Sequence, residues 1–386
     1  LSPRDPAEPH RSATPLELFF DLCFVVAIAA AASKLHHGIG EGHILESIQA
    51  YTLAFFAIWW AWVNFTWFSS AYDNDDVPFR LLVFVQMIGV LVLAAGIPRA
   101  FDRIDYGFVT LGYSIMRVGL VAQWLRAARR DEPRRRTAHR YALGITLCQI
   151  GWITLFFSAS GERWMLGWVV LASLELAVPA WAERVAATPW HAGHIAERYG
   201  LLTLIVLGES VLASTSALQS AIDGGTSAAT LVPTIVGGLL VLFSMWWVYF
   251  AEPVHRLLTS SRVAFEWGYA HYFVFGCAAA VGAGLAAYTD AATGHGHAST
   301  TVAGASVAWP AGVFVLLVWW LHCRRVQLGL AADVAYFVAT ALLFASPFTP
   351  WPVPAAGVTL GTLVAIRVAA DARRRTNHRE PATRAA

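Results

Sequence analysis

Run after run of about 20 largely apolar residues, each long enough to cross a ~30 Å hydrocarbon core as a helix, restricts this chain more than any motif does. Such runs lie near 15–35, 45–69, 79–98, 106–127, 139–158, 163–182, 194–217, 229–250, 264–288, 302–322, 330–346 and 353–370. They predict an all-α polytopic membrane protein with about 12 transmembrane helices. Segment 330–346 is short and carries Asp333, and 353–370 follows Pro347, Pro350, Pro352 and Pro354. These two read either as full crossings or as one re-entrant pair. Composition agrees with the bilayer: 57% of residues are hydrophobic and 13% charged, whereas soluble domains carry about 45–50% and about 25%.

Basic residues near span ends are retained in the cytoplasm. Arg126, Arg129, Arg130, Arg134, Arg135, Arg136 and Arg140 follow the fourth span, and Arg184, Arg256 with Arg262, Arg324 with Arg325, and Arg373 to Arg375 follow the sixth, eighth, tenth and twelfth. Odd-numbered connections hold only Lys34, Arg99, Arg103 and Arg163. Both termini are therefore predicted cytoplasmic, and the arginines need no nucleic acid to explain them. Arg4 and Arg11 before an apolar stretch also suit a cleaved signal peptide, but Glu17 and Asp21 inside that stretch favour a mature helix. Segment 1–14 reads as a cytoplasmic lead, 15–370 as the membrane domain and 371–386 as a basic cytoplasmic tail. Two six-helix halves, 15–182 and 194–370, are suggested by Ile58-Trp59-Trp60-Ala61-Trp62 beside Met245-Trp246-Trp247-Val248-Tyr249. Chance similarity explains the pair equally well. Trp59, Trp60, Trp62, Trp67, Trp246, Trp247, Trp319 and Trp320 read as an interfacial aromatic belt.

Ionisable groups in hydrocarbon cost at least ~2.5–3.5 kcal/mol each on the insertion scale, so they face the bundle interior and pair. Glu17 and Asp21 stand one helical turn apart on one face of span one. Either one of them holds a proton or shares a cation, or basic loop residues and helix N-terminal amides neutralise both. Arg117 lies mid-span in the fourth run and Glu175 in the sixth, one turn before Pro179. A bidentate pair of Arg117 with Glu175 or Glu209 is expected, whether architectural or functional. In span seven His194, Glu197 and Arg198 read as an interfacial cluster, while Glu209 lies deeper between Gly208 and Ser210, small residues that permit close helix approach. His271 in span nine, with Glu266 and Asp333 nearby in depth, is a candidate proton relay or a structural hydrogen-bonder. Gly276, Ala280 and Gly284 form a small-residue packing stripe on the same span. His36, His37, His43, His295 and His297 lie in outer loops, where ordinary flexible loops are commoner than metal sites, so no metal site is assigned. Cys23, Cys148, Cys277 and Cys323 are too scattered for a disulfide framework or zinc.

The elements TPLELFFDLCFVVAI in span one and ERYGLLTLIVLGESV in span seven resemble the bacterial low temperature requirement protein A (LtrA) family over most of the chain. Cys23 departs mildly, standing where a further aliphatic residue is expected. The resemblance implies an integral membrane protein linked by name to growth in the cold, and it marks Glu17, Phe19, Phe20, Asp21, Glu197, Arg198, Gly200, Gly208, Glu209 and Ser210. It implies no substrate and no cofactor.

Many spans with buried acids and a histidine point to a proton- or cation-coupled secondary transporter of the bacterial inner membrane, moving a small molecule or ion. In this reading Glu17, Asp21 and Glu209 bind the coupling ion, with Glu197 at the mouth. Arg117, with Glu175 beside it, balances charge or binds an anionic substrate group, and His271 relays protons. A membrane-embedded cofactor- or lipid-binding protein or enzyme is the alternative, and a non-catalytic cold-adaptation protein the third. No GxSxG elbow, P-loop or HExxH motif names an enzyme, and a homo-oligomeric state stays open. For the topology, a cysteine placed in the 126–140 loop should resist an impermeant thiol reagent applied to intact cells. Labelling from outside would reverse the orientation.

Overall fold

With no water in the bilayer core, each crossing must satisfy its own backbone N–H and C=O groups, and a helix does so within one segment. The computed structural model describes residues 1–9, 11–158, 161–294, 296–326 and 329–383, with side chains through 372. Among them the chain forms helices and loops with no strand. The helices are α1 (Pro15–Gly40), α2 (Ile44–Tyr72), α3 (Val77–Arg103), α4 (Gly107–Arg130), α5 (Arg135–Ser158), α6 (Gly161–Ala182), α7 (Ala192–Asp223), α8 (Ala228–Phe250), α9 (Ser261–Ala292), α10 (Thr300–Val318), α11 (Leu330–Ala345) and α12 (Pro352–Thr383). Among the described residues, 12 helical segments are long and apolar enough to cross a membrane, including Leu330–Phe348 and Pro352–Ala372. Several helices outrun the apolar stretches that predicted them, because helical hydrogen bonding continues past the polar residues that end an apolar run. The expectations for His295 and for the side chains of Arg373 to Arg375 fall outside the described residues.

Local chemistry fixes the ends. Asp76 caps α3 by accepting from the Phe79 N–H at 2.8 Å, and Ser299 caps α10 through Val302 at 3.3 Å. Thr14 and Glu17 form a capping box on α1: the Glu17 N–H donates to the Thr14 hydroxyl and the Thr14 N–H to the Glu17 carboxylate. Gly42, at φ 85°, supplies the left-handed residue of the tight link from α1 to α2. After α10 the chain makes one π-helical turn, Trp319–Cys323, in which the Arg324 N–H donates to the Trp319 carbonyl and His322 and Cys323 are buried.

The chain divides into two compact units, each described by itself: 1–31 with 52–202, and 32–51 with 203–386. In unit 1, α3 packs on α4, α4 on α5 and α5 on α6. The α3 and α4 backbones meet so closely that a Cβ on Gly112 would collide with both the Gly89 oxygen and the Leu93 nitrogen. In unit 2, α9 packs on α10 and α8 on α12. Of the packing stripe on α9, Gly284 abuts the Ser306 carbonyl of α10. Large apolar side chains such as Phe19, Leu22, Leu81, Ile88, Leu143 and Phe243 are exposed, the surface expected of helices facing lipid. Because the obstruction at Gly112 is backbone and cannot swing aside, Gly112→Ala should cost about 1–3 kcal/mol. A lower melting temperature of the detergent-solubilised protein reads this, and an unchanged melt would show that α3 and α4 can part at no cost.

Candidate functional site

Unit 1 holds two buried charge clusters. The first forms where the starts of α1 and α7 meet the end of α2. Four-residue spacing puts Glu17 and Asp21 on one face of α1, and the same spacing puts His194 and Arg198 on one face of α7. All four are fully buried. The Arg198 guanidinium bridges the acids, with Nη1 3.2 Å from Glu17 Oε1 and Nη2 2.5 Å from Asp21 Oδ1. Glu17 also accepts from the Ser69 hydroxyl at 2.7 Å and the Thr14 N–H at 2.8 Å, and lies 3.1 Å from His194 Nε2. Asp21 Oδ1 accepts from the Trp62 indole at 2.7 Å. Arg11 stands 3.9 Å from Glu17 while donating to the Ser69 carbonyl at 3.0 Å.

The second cluster surrounds Glu175 on α6. Its carboxylate accepts from Trp60 at 2.8 Å, Arg117 at 3.2 Å, and Tyr113 and Trp152 at 3.3 Å, donors from α2, α4 and α5. Arg117 also donates to the Tyr113 hydroxyl and lies over that ring at 4.3 Å. Its Nε and Nη1 are buried without a hydrogen-bond partner. Pro179 cannot donate to the Glu175 carbonyl one turn earlier, so the helix itself leaves a backbone acceptor open there.

The other sequence candidates fall elsewhere. Glu197 is exposed and accepts from the Ala13 N–H at 3.3 Å, apart from the buried face of its own helix. Glu209 lies in unit 2, half-buried, and no hydrogen bond or ion pair reaches its carboxylate among the described residues. Gly208 beside it faces open space. The close helix contact is made by Ser210, which donates to the Ala278 carbonyl at 3.1 Å and sits against Gly282. His271 is buried among Trp267, Phe275, Tyr249 and His322, an aromatic and histidine setting where carboxylates were expected. Its Nδ1 lies 2.7 Å from the Trp267 carbonyl and its Nε2 2.9 Å from the Tyr249 hydroxyl, so Nδ1 carries the proton and Nε2 accepts. The expected tryptophan belt also divides: Trp246 and Trp247 are exposed, but Trp59, Trp60 and Trp62 are buried, and the last two donate to acids.

Three participants escape a reading of the spans as site residues. His194 and Arg198 look interfacial beside Glu197, although their four-residue spacing shares one helix face and the span-seven motif marks Arg198. In unit 2, Arg367 of α12 binds Glu252, and reaches Asp371 at 3.1 Å and the Cys323 sulfur at 3.4 Å. The four-residue step from Arg367 to Asp371 is its one visible trace.

A family model described as Bacterial low temperature requirement A protein (LtrA) matches residues 12–370. The chain belongs to this family. A protein of Rhizobium meliloti (strain 1021) described as uncharacterised is 30% identical over 272 residues, covering 66% of this chain and 64% of its own length. The match thus spans just under two thirds of that relative. No solved structure matches the chain. The family's first motif divides by helix face in this LtrA member: Glu17, Phe20, Asp21 and Phe24 point inward, whereas Leu18, Phe19 and Leu22 are exposed.

Just outside the spans, Asp73 follows α2 and accepts from the Asp75 N–H at 2.9 Å. Burial, then the negative charge of Glu17, raises its carboxyl from 3.8 to about 6. A raised carboxyl pKa means the native state binds this proton more tightly than the unfolded chain does. The contribution of this group to stability is therefore fully present below about 4 and lost as pH rises towards about 6. Asp73→Asn keeps the acceptor and removes the titration, so its melting temperature should exceed wild type at pH 7 and converge with it at pH 4. Parallel melting curves across that range would exclude Asp73 as the titrating group.

Proposed function

We propose that this LtrA-family protein is a secondary carrier of the bacterial plasma membrane, with both termini in the cytoplasm, coupling movement of a small solute or ion to a proton or cation. The observation that carries the reading is the single guanidinium of Arg198 serving two fully buried carboxylates from another helix. A buried pair kept only for packing needs one acid per base, and replacing such pairs by apolar residues is often neutral or stabilising. Arg198 shared by two acids, with Arg11 and His194 reaching Glu17 alone, has instead two arrangements of similar charge. In the first Arg198 holds both, and in the second an ion on one acid leaves Arg198 to the other. A two-state element biased by an ion is what coupling requires.

Glu17, Asp21, His194 and Arg198 form the coupling site in this reading. Arg117 and Glu175 form the substrate-facing pair, because Glu175 is saturated by four donors while Arg117 retains unused N–H groups. Glu197 draws cations to the mouth. In unit 2, Glu209 is assigned as a second ion-accepting carboxylate and His271 as a positioning residue, since both its nitrogens are committed. The positive-inside rule, applied to the arginine-rich connections, orients the protein.

The test is flux in liposomes containing the purified protein and a pH-sensitive dye, under imposed proton, sodium or potassium gradients. Wild type should move ions, and Arg198→Gln, isolated as a folded, monodisperse protein, should be slower by about tenfold or more, since unpairing a buried charge costs about 3–5 kcal/mol. Absence of flux under every gradient, or equal flux in the variant, would defeat the proposal.

A further inference from the structure

The carrier reading leaves the coupling ion open between a proton and a metal cation, and the lone pairs around Asp21 discriminate between them. Nearly every contact to the two carboxylates is a donor. Glu17 Oε1 accepts from the Ser69 hydroxyl and lies in ion-pair range of Arg198 Nη1, and its Oε2 is met by the Thr14 N–H and His194 Nε2. Asp21 Oδ1 takes the Trp62 indole and Arg198 Nη2. Asp21 Oδ2 is buried without any hydrogen-bond partner, and so is the Thr66 hydroxyl on the same face of α2, one turn beyond Trp62.

Hard cations need a shell of oxygens, about six for Mg²⁺ and six to eight for Ca²⁺, and even an alkali ion must have its hydration shell replaced by oxygens. Here two uncommitted protein oxygens stand among the guanidinium of Arg198, whose Nε is itself unsatisfied, the His194 ring and, further out, Arg11. Charged and titratable groups face this pocket from each packed element: Glu17 on α1, His194 and Arg198 on α7, Arg11 from the N-terminal segment and, next to Glu17, Asp73 just after α2, with the neutral donors Trp62, Thr66 and Ser69 on α2. A metal cation would find acids already paired with guanidinium and too few free oxygens for a shell. A proton needs a single lone pair.

We propose that the coupling ion of the unit 1 cluster is a proton and that it binds Oδ2 of Asp21, an assignment that rests on the carrier reading. Hydronium from the aqueous side gives up H⁺, one O–H bond forms at Oδ2, the charge of Asp21 is cancelled, and Arg198 is left to Glu17 alone. No electron moves and no other covalent bond changes. Thr66 lies between Trp62, which donates to Asp21, and Ser69, which donates to Glu17, so its unsatisfied hydroxyl is on the helix face turned to these acids.

Infrared difference spectroscopy of the full-length protein in liposomes reads the site without a substrate. In an Asp73→Asn background, which removes the other carboxyl raised towards about 6, a step to lower pH should produce the C=O band of a protonated carboxyl, lost on adding Asp21→Asn and retained on adding Glu17→Gln, while sodium or potassium steps at fixed pH change no carboxylate band. If Asp21→Asn does not yield folded protein, Trp62→Phe serves: it removes the hydrogen bond to Oδ1 and should shift the frequency of the same band. A band indifferent to Asp21→Asn, or unmoved in Trp62→Phe, overturns the assignment, as does a carboxylate response to sodium that Asp21→Asn abolishes. Loss of the band in a protein that moves no ions upholds the proton site and removes the carrier reading. Proton flux with a band independent of Asp21 does the reverse.

Discussion

Hydrocarbon supplies no dipoles to a buried ion, so every charge within the spans has to be solvated by the protein itself. Unit 1 is arranged around that requirement. Arg198 joins α1 to α7, and Glu175 gathers donors from α2, α4 and α5 onto α6. Helix α2 serves both clusters, with Trp60 turned to Glu175 and Trp62 to Asp21. Two indoles a short way apart on one helix thus do what water does in a soluble protein. An indole suits this task because it donates one N–H and otherwise presents apolar surface.

That dual nature explains where sequence reasoning worked and where it failed. The spans were legible because length and apolarity are additive along the chain, and Glu17, Asp21, Arg117 and Glu175 were legible because a charge in an apolar run is conspicuous. The roles of Trp60 and Trp62 were not. A tryptophan near a helix end has the same sequence signature whether it faces headgroups or an acid, and only the rotation of α2 about its axis decides. Arg198 was obscured by its position: one residue after the exposed Glu197, it looks interfacial until the helix is seen to turn it inward. The Thr14 to Glu17 capping box was readable from spacing, with Pro15 at the first helical position, yet Glu17 drew attention only as a membrane charge.

The family motifs gain physical content from the same geometry. In the first, the acids and Phe20 face inward while Phe19 meets the surface, so two adjacent phenylalanines answer to different environments. In the second, Ser210 makes the close contact with α9 and Glu209 turns away from it, half-buried. A short run of motif residues can therefore record several separate demands.

The π-helical turn at Trp319–Cys323 has an implication for how this region tolerates change in length. A π turn is an α-helix with one residue too many, held in by a wider hydrogen-bonded loop. It rotates the residues after it by the angle of one residue, and in this chain that rotation buries His322 against the Tyr249 carbonyl and brings Cys323 beside Arg367. Removing a single residue there would leave an ordinary helix of normal stability whose polar side chains point the wrong way. The segment is consequently a place where a deletion is silent to the backbone and severe to the interior, so relatives lacking the extra residue should have rewired the contacts that His322 and Cys323 make with Tyr249 and Arg367 instead of lost the helix.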